Sequence, residues 1–398
     1  MIADLAVDRT FFNIIKSSAA TRVCVIVPVR NEAECLWETL DALRLQVDNT
    51  GKELSADVYE VLVLVNNSTD NSFEIAEKYA ALYPSFRMAA EEIWLEGERA
   101  NIGTVRRMLM DEAYRRLMLT GNSNGIIAST DGDTIVDSRW ICNIIAEIEK
   151  GNDAVGGRIL TEREAGTSRL YHLRDVTYRC LLAQAESLID PLQHDPFPCH
   201  FQYFGANMAV TCSMYEQAGR LPQVPFLEDM AFHKALMLRD ARIRRSFEVK
   251  VYTSSRVEGR VSIGFSEQLR RWMNEDQAHI PQMVEAVTPV LFMFETRNRL
   301  RKCWDAYVEK RMVQREELNA IAARLNIRVE WLHSQLITST YFGGLWDVIN
   351  LLVRNPEQEL QPIHEAIDQL RLFIKNKKAN SFQTDQVDMF VHEVRASA

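Results

Sequence analysis

Residues 126–133 read Ile126-Ile127-Ala128-Ser129-Thr130-Asp131-Gly132-Asp133. A short apolar run that breaks into two carboxylates around one glycine is the pattern of a buried strand whose carboxyl end opens into a polar turn. Upstream, Val23–Val29 is continuous and apolar, as a strand buried on both faces should be, and Asn31 with Glu34 three residues on is the expected helix cap. Leu36, Leu40 and Leu43 then mark one helical face. Tyr59–Val65 is the second predicted strand, and Asn71 with Glu74 repeats the cap before a helix that Pro84 must end. A third helix is expected to start near Gly103 and to carry Val105, Leu109, Ala113 and Leu117 along one side. Strand, cap and helix in alternation predict an α/β fold with a doubly wound, mainly parallel sheet.

Beyond about residue 275 the pattern becomes helical, with amphipathic stretches at Glu316–Leu325, Leu345–Val353 and Ile363–Ile374. The expected division is a sheet domain over 1–275 and a C-terminal helical appendage over 276–398, since 398 residues exceed what one core comfortably holds. The apolar faces of those helices have three uses: packing on their own chain, forming a homo-oligomer, or lying on a membrane surface. With 46 basic and 55 acidic side chains the formal charge is −9, which excludes nucleic-acid binding through a general basic face. No apolar run approaches the roughly 18 residues that span a bilayer, so no transmembrane segment is expected. The first twenty residues carry Asp4, Asp8 and Lys16 and lack a secretory pattern, so the expected location is cytoplasmic. Seven cysteines with no Cys-x-x-Cys pair read as reduced, mostly buried thiols.

In open α/β sheets ligands bind beyond the carboxyl ends of the strands. Three such ends carry polar clusters here: Arg30 to Glu32, Asn66 to Asp70, and Asp131 to Asp133. Two carboxylates separated by a small residue can both face a hard divalent cation, Mg²⁺ or Mn²⁺, that keeps open positions for phosphate oxygens. Gly132 lets the backbone approach closely. An Asp-x-Asp triplet by itself also serves as an ordinary cap or turn, and only its company sets this one apart.

That company is Val27-Pro28-Val29-Arg30-Asn31-Glu32, Asn67-Ser68-Thr69-Asp70, Asp131-Gly132-Asp133, Glu228-Asp229 and Gln268-Leu269-Arg270-Arg271-Trp272. In this order, over roughly residues 20 to 275, the motifs resemble those of the family-2 glycosyltransferases. The resemblance implies a GT-A fold and a soluble, inverting glycosyltransferase of hexosyltransferase type, which moves a sugar from a UDP- or GDP-sugar to an acceptor it does not name. It implies that Pro28, Arg30 and Glu32 line the nucleoside pocket, with Asp70 supporting the base or its loop. Relatives often carry an acidic pair where this chain has Asn66 and Asn67; an amide donates as well as accepts, so base preference does not carry over. Asp133 is the implied metal ligand, and Asp131 shares the ion or meets the ribose. Arg99 and Asn101 match a stretch that in the family lies over the donor, and a solvated arginine is the competing reading for Arg99.

The acidic pair Glu228-Asp229 supplies the catalytic base in the family, and Asp229 is the expected one, with Glu228 orienting it or exchanging roles. Acids in a first helical turn are also favoured by the helix dipole alone. His233, one turn on, either couples to Asp229 or is structural. Arg256 and Arg260 suit diphosphate oxygens, as do Gln268 and Arg271, and Trp272 can stack on a sugar; a solvated basic loop is the plainer reading. The Gln-x-x-Arg-Trp pattern also occurs in processive synthases, whose membrane helices this chain lacks. His194 to His200 reads as a proline-braced loop more than a zinc site, with His200 a weak candidate, and Gly205-Ala206-Asn207 resembles the small-residue turn on the acceptor side. A non-catalytic nucleotide-sugar-binding or scaffold protein is the alternative. A sugar-1-phosphate nucleotidyltransferase is disfavoured because Arg30-Asn31-Glu32 is not a glycine-rich phosphate loop.

Overall fold

A computed structural model describes residues 12, 18–161, 168–253, 271, 272, 274, 278, 280–353 and 359–396. It divides into two compact units: 1–163 with 202–267, and 164–201 with 268–398. The division is thus not one cut near residue 275, because a segment from the middle of the expected sheet domain clusters with the C-terminal helices.

The first unit is built on strands β1 (Val23–Val29), β2 (Tyr59–Asn66), β3 (Met88–Ile93), β4 (Ile126–Ser129), β5 (Thr134–Val136), β6 (Ala154–Thr161), β7 (Met208–Thr211) and β8 (Ile243–Thr253). Their order is β3-β2-β1-β4-β7-β6-β8-β5. The β3-β2-β1-β4 half is parallel throughout, β7 runs antiparallel to both β4 and β6, and β8 is parallel to β6. Every residue of β1 is buried, and its side chains divide by parity. Cys24 and Ile26 join one core with Val105, Leu109 and Ala113 of α3 (Ile102–Leu119) and Phe232 and Leu236 of α7 (Glu228–Met237). Val23, Val25, Val27 and Val29 join the other, with Leu36 and Leu40 of α1 (Leu36–Arg44), Tyr79 of α2 (Ser72–Leu82) and Trp140 of α4 (Trp140–Glu149). Helices on both faces of a mainly parallel sheet make the doubly wound α/β fold that the alternation predicts.

Strand polarity decides which loops meet. Parallel pairing puts the carboxyl ends of β1, β2 and β4 on one edge. Because β7 runs the other way and pairs Met208 with Ser129, the turn preceding β7, Gly205–Asn207, arrives at that same edge.

The second unit contains α5 (Ser168–Ile189), α8 (Val287–Val308), α9 (Arg315–Arg324), α10 (Val329–Thr338), α11 (Phe342–Val353) and α12 (Ile363–Ala396), with α6 (Cys212–Gln217) belonging to the first. Tyr178 and Ala185 of α5 pack against Ala366, Ile367 and Leu370 of α12, which explains why α5 clusters with the C-terminal helices. The buried Asp190 accepts from Arg297 Nε at 2.6 Å and Arg301 Nε at 3.0 Å, pinning the end of α5 to α8. Among the described residues no helix is long and apolar enough to cross a membrane.

Candidate active site

The first two rim loops are sewn together by Asn31, which sequence patterning assigns to a cap, and by Asp70. Asn31 (φ 56°) and Asn67 (φ 48°) both take the left-handed conformation, which asparagine tolerates better than most residues. That conformation turns Asn31 away from α1: its Oδ1 accepts from Thr69 N at 2.7 Å, while its own N–H donates to Ser68 Oγ at 3.0 Å. The first residue before α1 is instead Cys35, and no side chain caps there. At α2 the capping carboxylate is Asp70 in place of Asn71. Asp70 Oδ1 accepts from Ser72 N and Oγ at 3.1 and 2.6 Å, and Oδ2 accepts from Ala33 N at 3.0 Å. Asp70 therefore holds the Arg30–Ala33 loop in place. Asn67 is committed too, exchanging bonds with Leu95 O (2.8 Å) and Leu95 N (3.1 Å) beyond the end of the β2–β3 ladder. Asn66 is buried beside it, Glu32 is half-buried and Arg30 is exposed.

Gly132 packs beneath this loop. A Cβ there would lie 3.0 Å from Val29 Cγ2 and 3.1 Å from Glu32 Cγ, and its carbonyl accepts from the buried Thr39 hydroxyl at 3.0 Å. The Asp131–Asp133 turn is thus pressed against the end of β1 beside Pro28, whose carbonyl lies 3.4 Å from the same Cβ position. Asp131 and Asp133 are both half-buried at the edge, and Thr134 Oγ1 donates to Asp133 Oδ1 at 3.4 Å.

Arg106 of α3, which sequence reasoning overlooked, occupies the middle of the site. It is 3% exposed. Its Nη2 donates to Asp131 Oδ1 at 3.0 Å, its Nε to Glu228 Oε1 at 2.9 Å, and its Nη1 to Ser129 Oγ at 2.6 Å and Gly205 O at 2.9 Å. Burial alone would lower its pKa, but Asp131, Glu228 and Asp229 together outweigh that and raise it, so the guanidinium stays charged. A readable signal did exist: Arg106 shares the helical stripe of Met110, Ala113 and Leu117, all buried, where a cation must find an acid.

The acidic pair separates into two environments. Glu228 is buried in its bond to Arg106, whereas Asp229 is half-buried at the rim. Asp229 Oδ2 accepts from Gly205 N at 3.0 Å and Oδ1 from Met230 N at 2.8 Å. Leu227 before them is left-handed (φ 55°), a strained conformation for a leucine and one that turns the chain sharply into α7. The small-residue turn divides likewise: Gly205 touches the ionic cluster, while Asn207 is buried, accepting from Trp140 Nε1 at 2.8 Å and donating to Arg158 O at 3.1 Å. His233 stacks on Tyr203 at 4.9 Å. The Tyr203 phenol is pushed up by burial and by Asp229, so it is neutral.

Arg99 is exposed in a short turn, Gly97–Arg99, before α3, and Asn101 caps α3 by accepting from Thr104 N at 2.9 Å. Arg256, Arg260 and Gln268 lie outside the described residues. Arg271 and Trp272 belong to the second unit; Arg271 is exposed, and Trp272 is 5% exposed, packed with Tyr171 and stacked on His172 at 5.9 Å. His200 is buried in that unit. Among the described residues no group of three or more His, Cys, Asp or Glu side chains gathers as a cation cage. The oxygen donors suited to a hard ion at this edge are Asp133 and the side of Asp131 not facing Arg106.

Part of this chain is similar to known glycosyltransferases. Residues 24–204 match the model of glycosyl transferase family 2. Glycosyltransferase AglE of Haloferax volcanii is 32% identical over 148 residues, so the match spans 37% of this chain and 42% of that relative. Among solved structures, S. aureus TarS 1-349 in complex with UDP-GlcNAc is 15% identical at a TM-score of 0.43, covering 83% of this chain and 90% of that one. The mannosyltransferase PcManGT from Pyrobaculum calidifontis, with GDP-Man and Mn²⁺, is 15% identical at a TM-score of 0.42, covering 91% and 87%. At such scores neither likeness bears on individual residues. The match to glycosyl transferase family 2 thus covers the stretch that carries all three strand-end clusters.

Proposed function

We propose that the protein is a metal-dependent, inverting glycosyltransferase that takes its sugar from a UDP- or GDP-sugar and delivers it to an acceptor hydroxyl. The observation that carries this reading is the convergence of carboxylates from two distant stretches, Asp131 after β4 and Glu228 and Asp229 at the start of α7, on one edge around Arg106. The family match over residues 24–204 supports the reaction class.

The donor set fits a divalent cation. Mg²⁺ and Mn²⁺ are commonly held by one or two carboxylates, with phosphate oxygens and water completing the sphere, so a cage of three protein ligands is not required. Asp133 is the principal ligand in this reading and Asp131 the shared one. When bound, the ion balances the charge that builds on the leaving diphosphate. Pro28, Arg30, Glu32, Asn66, Asp70 and Gly132 line the nucleoside side, and Arg99 reaches toward the diphosphate. Glu228, buried and paired, cannot approach a substrate hydroxyl. Asp229 at the rim can, with Gly205 N and Met230 N fixing its carboxylate. It takes the acceptor proton while the acceptor oxygen bonds to the anomeric carbon and the bond to diphosphate breaks on the opposite face, which inverts that centre.

The test is turnover of a panel of UDP-, GDP- and dTDP-sugars with Mn²⁺ or Mg²⁺, repeated with EDTA and with Asp133→Ala. Both interventions are expected to abolish turnover. Full activity in chelator, or in Asp133→Ala, would overturn the metal assignment, and no turnover or hydrolysis of any donor would overturn the reading as a whole.

A further inference from the structure

We propose that Arg106 is the positioning residue of this site, locking donor-side Asp131 and acceptor-side Asp229 into one geometry; the inference rests on the function proposed above. The bonds of its guanidinium span α3, the end of β4, the turn before β7 and the start of α7. Gly205 links the two sides. Its carbonyl accepts from both Arg106 Nη1 and Ser129 Oγ, the latter at 2.7 Å, while its N–H donates to Asp229 Oδ2. The two peptide planes that flank the Gly205 Cα therefore meet the proposed base through the N–H and the arginine through the carbonyl, and displacing this one residue moves the base. The glycine is required there: a Cβ would lie 2.6 Å from Arg106 Cζ. Asp131 and Glu228 are tied to the same cation through different nitrogens, so its fork geometry sets their separation.

A plainer role would be neutralisation of the buried Glu228. That role needs only charge balance, whereas positioning needs the planar fork, and the two differ in what variants do. In Arg106→Lys the charge remains and the fork is lost. Displacement of a base by about 1 Å costs on the order of 10²-fold in rate. Arg106→Lys should therefore lose about that much kcat in the hydrolysis of UDP-glucose or GDP-mannose with Mn²⁺, with donor KM little changed. Arg106→Met should lose at least as much.

Since Arg106→Met leaves Glu228 buried without its partner and threatens folding, the double variant Arg106→Met/Glu228→Gln provides the control. It should recover thermal stability but not kcat, and exchange of the Gly205 amide, followed by NMR, should quicken at least about tenfold while core strand amides stay protected. Wild-type kcat in Arg106→Lys, or joint recovery of stability and kcat in the double variant, would overturn the proposal. Unchanged Gly205 exchange would overturn it even if no donor is turned over. Full turnover by Asp229→Asn would instead remove the proposed base while leaving the exchange result to judge Arg106.

Discussion

Asp229→Asn and Glu228→Gln are each nearly isosteric, and the two environments in the structure predict opposite consequences for adjacent residues. Asp229 sits at the rim with its oxygens fixed by two backbone N–H groups. Asparagine keeps the size but cannot accept a proton, and a general base contributes about 10²–10⁴-fold. At about 1.4 kcal/mol per decade, the barrier should rise by roughly 3–5 kcal/mol. Thermal stability should change little, since the asparagine oxygen can still accept one of the two bonds. Glu228 is buried against Arg106 Nε at 2.9 Å. Glutamine there can still accept that bond but loses its charge assistance, a loss of about 1–2 kcal/mol. At roughly 2–4 °C per kcal/mol for a unit of this size, Tm should fall by about 2–8 °C. Its kcat should fall no more than about tenfold, because the residue acts on the reaction only through Arg106. Initial rates across donor concentration, paired with scanning calorimetry, separate the two patterns. The assignment is refuted if Glu228→Gln is the inactive variant at unchanged Tm while Asp229→Asn turns over normally.

Three further outcomes follow from local geometry. Arg116, buried on α3, forks onto the buried Glu60 with both bonds at 2.8 Å, so Arg116→Met should destabilise by about 3 kcal/mol or more. Arg116→Met/Glu60→Met should recover most of that loss in urea unfolding; a wild-type midpoint for the single variant would contradict the reading. A Cβ on Gly103 would sit 2.0 Å from the Val224 carbonyl oxygen, so Gly103→Ala must push α3 aside, at about 1–3 kcal/mol, and should lower kcat because α3 carries Arg106. Gly103→Ala with wild-type urea midpoint and kcat would show that the contact is readily relieved. His172 has its pKa lowered, by burial first and against the opposing pull of Asp175. The folded state thus binds this proton less readily than the unfolded chain does, so the contribution is complete above the ordinary value near 6.5 and is lost as pH falls toward the folded value. His172→Phe should flatten the dependence of Tm on pH below about 6.5, and an unchanged slope would assign the effect to other groups.

What could be read in advance, and what could not, follows from where each side chain spends its polarity. β1 and β4 have the bounds that their apolar runs mark, Val23–Val29 and Ile126–Ser129, because a strand covered on both faces needs no alternation. β3 ends in Glu91-Glu92-Ile93 at the sheet edge, and β8 mixes Arg244, Arg245, Glu248 and Lys250 with apolar residues, so neither announces itself as a run. The acidic candidates at this edge were legible because their chemistry is local to a motif. Asn31 was misread as a cap because a cap assignment assumes the side chain looks forward along its own helix, and a positive φ points it at the neighbouring loop instead. Arg106 escaped for the converse reason. Charge on a helix is ordinarily read as solvated surface. Yet α3 places Arg106 and Arg116 among buried apolar residues, and each meets a buried glutamate from a distant element, Glu228 and Glu60. A long-range ion pair leaves no motif, only a cation in the wrong stripe. In a helix that borders a strand-end site, such a cation marks where an acid from elsewhere in the chain must arrive, and in α3 one of the two arrivals is the neighbour of the proposed base.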